Sequence, residues 1–185
     1  MFTEKHETAS FTWDLLGDIE TGRPNLGMSC PVLVYRLFKQ NMTAELIRQF
    51  GRDKAIKLIK NAGYHAGREC CNAVFDCDLP PQMFMISLQM MFKENNIAII
   101  NFEKADFDNW QLVIAVNEGL ECSGIAPMGH PGCFYLEGFF GGILETYAGR
   151  KFIIKEIDCW AAGQRVCRFT VEPSTEGHDY LDLIS

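Results

Sequence analysis

Two cysteines near the carboxyl end of the sequence flank a turn and are placed to share a metal ion. Cys159 and Cys167 each lie four residues from Gly163, in a stretch whose composition predicts a hairpin. Opposed residues of an antiparallel pair have Cβ atoms about 4.5–5.5 Å apart, which suits either a shared metal ion or a disulfide bond. Because nothing in the sequence directs export to an oxidising compartment, we favour the metal.

Two further residues are candidates for the same ion. Glu156 lies three residues before Cys159, so a shared ion requires a bulge or bend at the two residues between them. Cys133 follows Pro131 in the first turn of a predicted helix, where the helix dipole favours a thiolate. Three thiolates and one carboxylate would complete a closed, structural zinc site. Spacing alone leaves another interpretation open, in which the cysteines are buried apolar residues and Glu156 is a surface acid.

The remaining cysteines and two histidines have weaker patterns. Cys70, Cys71 and Cys77, with Cys122, are an alternative set for a second metal or an iron–sulfur cluster, although adjacent helical cysteines point in different directions. We therefore interpret all four as ordinary core or surface thiols. A role of Cys122 near the zinc, or as a redox-sensitive thiol, is the less favoured alternative, because four ligands are already available. His65 and His130 are interpreted as structural histidines rather than haem ligands or acid–base groups.

The elements that must position these residues form a helical first half and a strand-rich second half. Turn signals in residues 1–30 predict irregular structure with a short hairpin. Apolar periodicity and capping residues predict the elements that follow: one long broken helix or two short ones over 31–51, helices over 52–71 and 81–94, strands over 97–102 and 110–116, a helix over 131–148, and strands over 151–158 and 165–172. This order predicts one α+β domain over residues 1–185, with an antiparallel sheet, helices on one face, and a flexible tail from about residue 174.

Composition excludes some classes of function. The 185 residues are 48% hydrophobic and carry a net charge of −7, with scattered Lys and Arg. We therefore expect neither a nucleic-acid nor a membrane partner. The amino terminus lacks a signal-peptide pattern, and the longest apolar stretch, residues 84–92, is too short to span a bilayer. We expect a cytoplasmic protein.

A longer motif identifies a family. The run from Gly132 to Gly141, G-C-F-Y-L-E-G-F-F-G, is followed by Gly149-Arg150 and by E-x-x-C-x-x-x-G-x-x-x-C-x-F from Glu156 to Phe169. This pattern, over about residues 130–171, resembles the 4-vinyl-reductase domain family. The resemblance implies the α+β fold of TRAPP subunits and related NO-signalling and ligand-binding domains, which commonly dimerises through helices. It also implies zinc, because aromatic sensors of this family use a Cys, Glu, Cys, Cys set that maps onto Cys133, Glu156, Cys159 and Cys167.

The resemblance implies binding of a small apolar or aromatic molecule as a sensor or carrier. Apolar residues proposed to line the pocket are Phe84, Leu88, Trp110, Phe134, Phe139 and Tyr147. Phenol itself is not predicted, because the aromatic sensors hold its hydroxyl with a histidine and a tryptophan, and this sequence has no histidine between His65 and His130. The chain lacks their ATPase and DNA-binding domains, so a signalling output needs a partner protein. Open alternatives are a role in tetrapyrrole vinyl reduction, a dimeric scaffold without ligand, and iron in place of zinc.

Overall fold

The computed structural model describes residues 11–175, so most of the predicted tail, residues 176–185, lies outside the described part. The predicted hairpin near the amino terminus is not found among residues 11–31. That stretch instead forms a 3-10 turn, Trp13–Leu16, and one turn of helix, α1 (Ile19–Gly22). Local capping favours the helical turn, because the Asp18 carboxylate accepts a hydrogen bond from the Thr21 amide at 3.0 Å.

Four longer helices follow the predicted pattern. They are α2 (Val32–Phe50), α3 (Arg52–Val74), α4 (Pro81–Glu94) and α5 (Phe134–Ala148). Gly51 separates α2 from α3 with φ of 77°, a left-handed conformation that glycine adopts readily. The helix predicted from Pro131 begins at Phe134 instead, because Cys133 has non-helical dihedrals, φ −95° and ψ 47°, and occupies the N-cap. Within the described residues, none of the helices combines the length and apolar character that crossing a bilayer requires.

The second half contributes a four-stranded antiparallel sheet. Its strands are β1 (Ile99–Asp106), β2 (Gln111–Asn117), β3 (Phe152–Asp158) and β4 (Cys167–Pro173), in the spatial order β1-β2-β4-β3. Along β3 and β4 alternate residues are buried and the residues between them are more exposed. One face of the sheet therefore packs under helices, and the predicted α+β fold class is confirmed.

Helix α5 lies at the centre of the molecule, between the sheet and α3. Its buried Phe140 ring lies 5.4 Å from the Phe169 ring of β4 and 5.5 Å from the Phe92 ring of α4, measured between centroids. The opposite side of α5 approaches α3 closely. A Cβ atom built on Gly63 or Gly67 of α3 would collide with carbonyl oxygens of α5, and one on Gly138 or Gly142 would collide with carbonyls of α3. Glycine at these four positions therefore allows the two helix backbones to approach closely.

Candidate metal centre

Four buried cysteine sulfurs converge where the sheet meets the amino-terminal end of α5. Cys122 lies in the loop after β2, and Cys133 is the N-cap of α5. Cys159 directly follows β3, and Cys167 begins β4. All four sulfurs lie within 4.8 Å of one another. These residues are held by different parts of the chain, so the cluster is a product of the fold and can hold a metal ion.

The spacing of the sulfurs can be compared with that of a tetrahedral site. A Zn–S bond of about 2.3 Å implies sulfurs about 3.8 Å apart. The Cys167 sulfur lies 3.7 Å from the Cys133 sulfur and 3.9 Å from the Cys159 sulfur, and the sulfurs of Cys133 and Cys159 are 4.0 Å apart. Cys122 lies 3.9 Å from Cys159 but only 2.9 and 3.1 Å from Cys133 and Cys167. Three sulfurs thus already have tetrahedral spacing, and Cys122 needs a small outward shift to complete the set.

Glu156 lies beside the cluster but is outside the group of four sulfurs. The bulge required between it and Cys159 is present, because the β3–β4 register shifts between Glu156 and Asp158. The new register pairs Asp158 with Arg168, and its next pair would be Cys159 with Cys167. Glu156 Oε2 accepts a hydrogen bond from the Cys133 amide at 3.1 Å, and the buried Oε1 has no hydrogen-bond partner among the described residues.

Burial and crowding perturb the acidity of this site. Loss of solvent raises the pKa of Glu156 to about 9, and the neighbouring Cys159 sulfur adds to the effect. Hydrogen bonding from Cys122, Cys133 and the other neighbours lowers the pKa of Cys159, whereas hydrogen bonding to the neighbouring sulfurs raises the pKa of Cys133. The pKa values of neighbouring thiols are thus driven in opposite directions, and a central cation would favour the thiolate form of all of them.

Two basic residues of α2 hold the loops that carry Cys122 and Cys133. The Arg36 guanidinium donates from Nε to the Leu120 carbonyl at 2.8 Å and from Nη2 to the Ser123 carbonyl at 2.7 Å. The Lys39 ammonium donates to the Gly132 carbonyl at 3.1 Å. These contacts join sites more than 80 residues apart in the chain, and they fix the position of Cys122 relative to α5.

A second set of charges holds the amino-terminal end of α5 against β3. The buried Glu137 carboxylate of α5 accepts from the Glu156 amide at 3.1 Å and forms an ion pair with Lys60 of α3. Backbone donation from the Trp160 amide to the Cys167 sulfur, at 3.4 Å, stabilises a thiolate at that position. The cluster is therefore supported by neighbouring hydrogen bonds, as metal sites require.

A cavity of about 210 Å³ adjoins the cluster. Three of the clustered cysteines, Cys122, Cys133 and Cys167, form part of its wall, and much of the remaining wall is apolar. Glu121 also lines it, and burial raises the pKa of this carboxyl to about 7. The sequence did not single out Glu121; its only signal was an acid next to a cysteine in a predicted loop.

The six residues predicted to line a pocket are distributed over two regions. Phe139 lines the cavity. The other five do not: Phe84 stacks on Tyr147 with centroids 3.7 Å apart, Trp110 lies 6.0 Å from the Tyr147 ring, Leu88 is buried in the core, and Phe134 is half-buried. The pocket composed of these six residues stays a prediction, and the cavity beside the cysteines is built mainly from other residues.

The other thiols and the histidines stand apart from the cluster. The Cys71 and Cys77 sulfurs lie 3.7 Å apart, but Cys70, Cys71 and Cys77 form no group of three ligands among the described residues, and Cys122 belongs to the other site. His65, interpreted as a structural histidine, is exposed, and the ring of His130 contacts the Pro131 carbonyl. Neither histidine is part of the four-residue group.

A family model matches the part of the chain that carries the four clustered cysteines. The family model of the vinyl-4-reductase domain matches residues 112–173, from β2 to β4. An uncharacterised protein of Methanocaldococcus jannaschii is 34% identical over 58 residues. This match covers 31% of this chain and 36% of that protein, so it spans about a third of the relative's length.

Solved structures share the fold at low sequence identity. The phenol-responsive sensory domain of the transcription activator PoxR, solved with phenol, has a TM-score of 0.64 at 14% identity. The match covers 83% of this chain and 80% of the PoxR domain. A vinyl-4-reductase family protein from M. jannaschii has a TM-score of 0.56 at 16% identity. The match covers 89% of this chain and 98% of that protein. The third structure is a trafficking protein particle complex subunit 3 from Naegleria fowleri, covalently bound to palmitic acid. It has a TM-score of 0.62 at 12% identity, and the match covers 77% of this chain and 95% of that subunit. The predicted resemblance is confirmed: residues 112–173 match the vinyl-4-reductase domain, within a fold shared by these three structures.

Proposed function

We propose that this protein is a zinc-containing small-molecule-binding domain that acts as a sensor or carrier. The observation that carries the proposal is the shared wall of the two sites, because Cys122, Cys133 and Cys167 belong to the sulfur cluster and also line the cavity. A metal that fixes these side chains fixes the wall of the cavity. The likeness to the phenol-responsive sensory domain supports a sensing role for the same fold.

The metal proposed is zinc, in a closed structural site. Buried thiolates with tetrahedral spacing suit zinc or iron, and zinc needs no redox chemistry or open position. The ligands shared by the sequence prediction and the geometry are Cys133, Cys159 and Cys167. For the fourth ligand we propose Cys122, because its sulfur lies within 4.8 Å of all three. The predicted fourth ligand, Glu156, stays the alternative, since its Oε1 is buried and without a hydrogen-bond partner among the described residues.

The metal assignment is tested by elemental analysis of untagged protein by inductively coupled plasma mass spectrometry. We expect one zinc per chain in the wild type, and loss of zinc with a lower melting temperature in Cys159→Ser and Cys167→Ser, because binding a structural metal stabilises the folded state. Cys30→Ser is the matched control, because Cys30 is exposed and lies outside the cluster. Metal-free wild type, or unchanged zinc and stability in both variants, would contradict the assignment.

The ligand proposed is a small, mostly apolar molecule. An apolar cavity of about 150 Å³ is known to bind benzene, so a cavity of about 210 Å³ suits one aromatic ring with a small substituent. A tetrapyrrole is several times larger than such a ring, so this cavity does not favour the tetrapyrrole alternative. Isothermal titration with benzyl alcohol tests the proposal: the wild type should bind it, and Ile97→Trp, which adds bulk to the cavity wall, should not. Absence of binding to the wild type would count against a small-molecule role.

We propose that ligand binding is signalled by the association of two copies of this chain through helix α2. Leu33, Leu37 and Phe38 on this helix are 68%, 56% and 66% exposed. Arg36 and Lys39, on the same helix, hold the loops of the cavity and the cluster. An apolar face of this kind can pair with the same face of a second copy. A movement of the cavity loops would be transmitted to this face through α2. Light scattering after size exclusion should show a dimer that Leu37→Glu converts to a monomer; a monomeric wild type would refute this output.

A further inference from the structure

We propose that Glu121 is the polar anchor of the cavity, and that the ligand is a small apolar molecule carrying a hydrogen-bond-donating hydroxyl or amino group. This inference rests on the proposed small-molecule function and specifies the chemistry that the cavity selects. Its basis is the position of one buried carboxyl group in a mostly apolar wall.

Glu121 is 4% exposed, and neither Oε1 nor Oε2 has a hydrogen-bond partner among the described residues. The Cys133 thiol and the Leu136 amide lie near enough to lower the pKa of this carboxyl, and the Tyr35 hydroxyl lies near enough to interact with it. None of the three makes a hydrogen bond of normal geometry with Glu121. The group lines the cavity, where a bound molecule would meet it. An unpaired buried polar group costs free energy of folding, and native proteins rarely contain one without a functional reason. A ligand that donates a hydrogen bond would supply the missing partner.

The nearby cations of α2 have other roles. Arg36 donates to the carbonyls of Leu120 and Ser123, on either side of Glu121, and Lys39 donates to the carbonyl of Gly132. In the described part of the chain, neither forms an ion pair with Glu121; the more distant charge of Lys39 lowers the pKa of the carboxyl without occupying its oxygens. The carboxylate is also outside the group of four sulfurs that can surround one ion. Glu121 is therefore available for a molecule in the cavity.

The acceptor role holds for either protonation state. An ionised carboxylate has only acceptor oxygens, and a protonated carboxyl keeps an oxygen that accepts. A ligand that presents a donor therefore pairs with Glu121 in either state, while its body contacts apolar residues such as Leu136 and Phe139. The Tyr35 hydroxyl, which lies beside Glu121, and the Tyr135 hydroxyl are further polar groups of the cavity that can orient the bound molecule.

The test uses two ligands of nearly equal shape, benzyl alcohol and ethylbenzene, which differ by a hydroxyl in place of a methyl group. Isothermal titration gives the ratio of their dissociation constants for the zinc-loaded wild type, Glu121→Gln and Glu121→Leu. Gln keeps an acceptor oxygen and Leu does not. We expect the preference for benzyl alcohol over ethylbenzene to fall about tenfold or more in Glu121→Leu and to be largely kept in Glu121→Gln. Glu118→Gln is the control, because it removes an exposed carboxylate from the same loop.

The possible results separate the anchor from the cavity. If both ligands bind and Glu121→Leu leaves their ratio unchanged, the anchoring role is overturned and the small-molecule function stands. If the wild type binds neither ligand, both proposals fall. Zinc content is measured for each variant in parallel, and loss of zinc from Glu121→Leu would overturn the inference by making Glu121 part of the metal centre.

Discussion

Replacing Cys122 with Ser should weaken zinc binding by about 10²- to 10³-fold without abolishing it. Structural zinc sites contribute about 10–16 kcal/mol, or about 2.5–4 kcal/mol for each of four ligands, which corresponds to about 10²- to 10³-fold in affinity. The geometry explains why binding persists. Cys133, Cys159 and Cys167 already have sulfur separations of 3.7–4.0 Å, near the tetrahedral value of about 3.8 Å. Cys122 is about 0.9 and 0.7 Å short of that separation from Cys133 and Cys167.

The assay is competition for zinc with a chromophoric chelator at constant pH, followed by the absorption spectrum of the cobalt-substituted protein. The intensity of the sulfur-to-cobalt bands decreases as thiolates are removed. Glu156→Gln is the companion variant, because the amide oxygen can still accept from the Cys133 backbone. If Glu156 acts only through that hydrogen bond, its replacement should change affinity by tenfold or less. Cys30→Ser controls for general effects of removing a thiol.

The opposite pattern would refute the reasoning. If Cys122→Ser binds zinc within about threefold of the wild type while Glu156→Gln weakens binding by about 100-fold, Glu156 is the fourth ligand, as the family resemblance implies. The short sulfur separations of Cys122 would then describe a neighbouring thiol. If neither replacement has an effect, the remaining three cysteines hold the metal with a donor from another source.

Three further predictions concern packing and positioning. Gly142→Ala should destabilise the protein by about 2 kcal/mol in urea unfolding, because the added Cβ would lie 2.7 Å from the Arg68 amide. Gly22→Ala is the control, since Gly22 has open space around it, and equal stability of the two variants would contradict the close packing. Phe140→Ala should cost about 3–5 kcal/mol by the same measurement, since the ring is fully buried; a cost below about 1 kcal/mol would show that the ring is not a central core residue. Arg36→Gln should weaken zinc binding about tenfold by releasing the Cys122 loop, and an unchanged affinity would show that the loop holds its position without α2.

The local geometry of the site could be predicted from the sequence where it depends on short-range rules. The symmetric placement of Cys159 and Cys167 about Gly163 predicts opposed sulfurs, and they lie 3.9 Å apart. Period-two burial requires a bulge between Glu156 and Cys159, and the register shift is at that point. The order of helices and strands likewise predicts the fold, because apolar spacing and the residues that begin and end each element locate most of them.

The rest of the site depends on tertiary contacts that have no sequence period. Cys122 enters the cluster because Arg36 holds its loop from a helix more than 80 residues away. The start of α5 depends on the backbone of Cys133, which is non-helical at the point where it meets the cluster. Apolar composition also fails to separate core from cavity, so Phe84 and Leu88 pack in the core while Phe139 lines the cavity.

The most direct test of the metal centre is the zinc K-edge X-ray absorption spectrum of untagged protein purified without chelators. We expect the spectrum to show one zinc per chain with four sulfur neighbours at about 2.3 Å. Three sulfurs with one oxygen would assign the fourth position to Glu156. A shell with fewer than three sulfurs, or protein without bound zinc, would contradict the central claim that these buried cysteines form a zinc site.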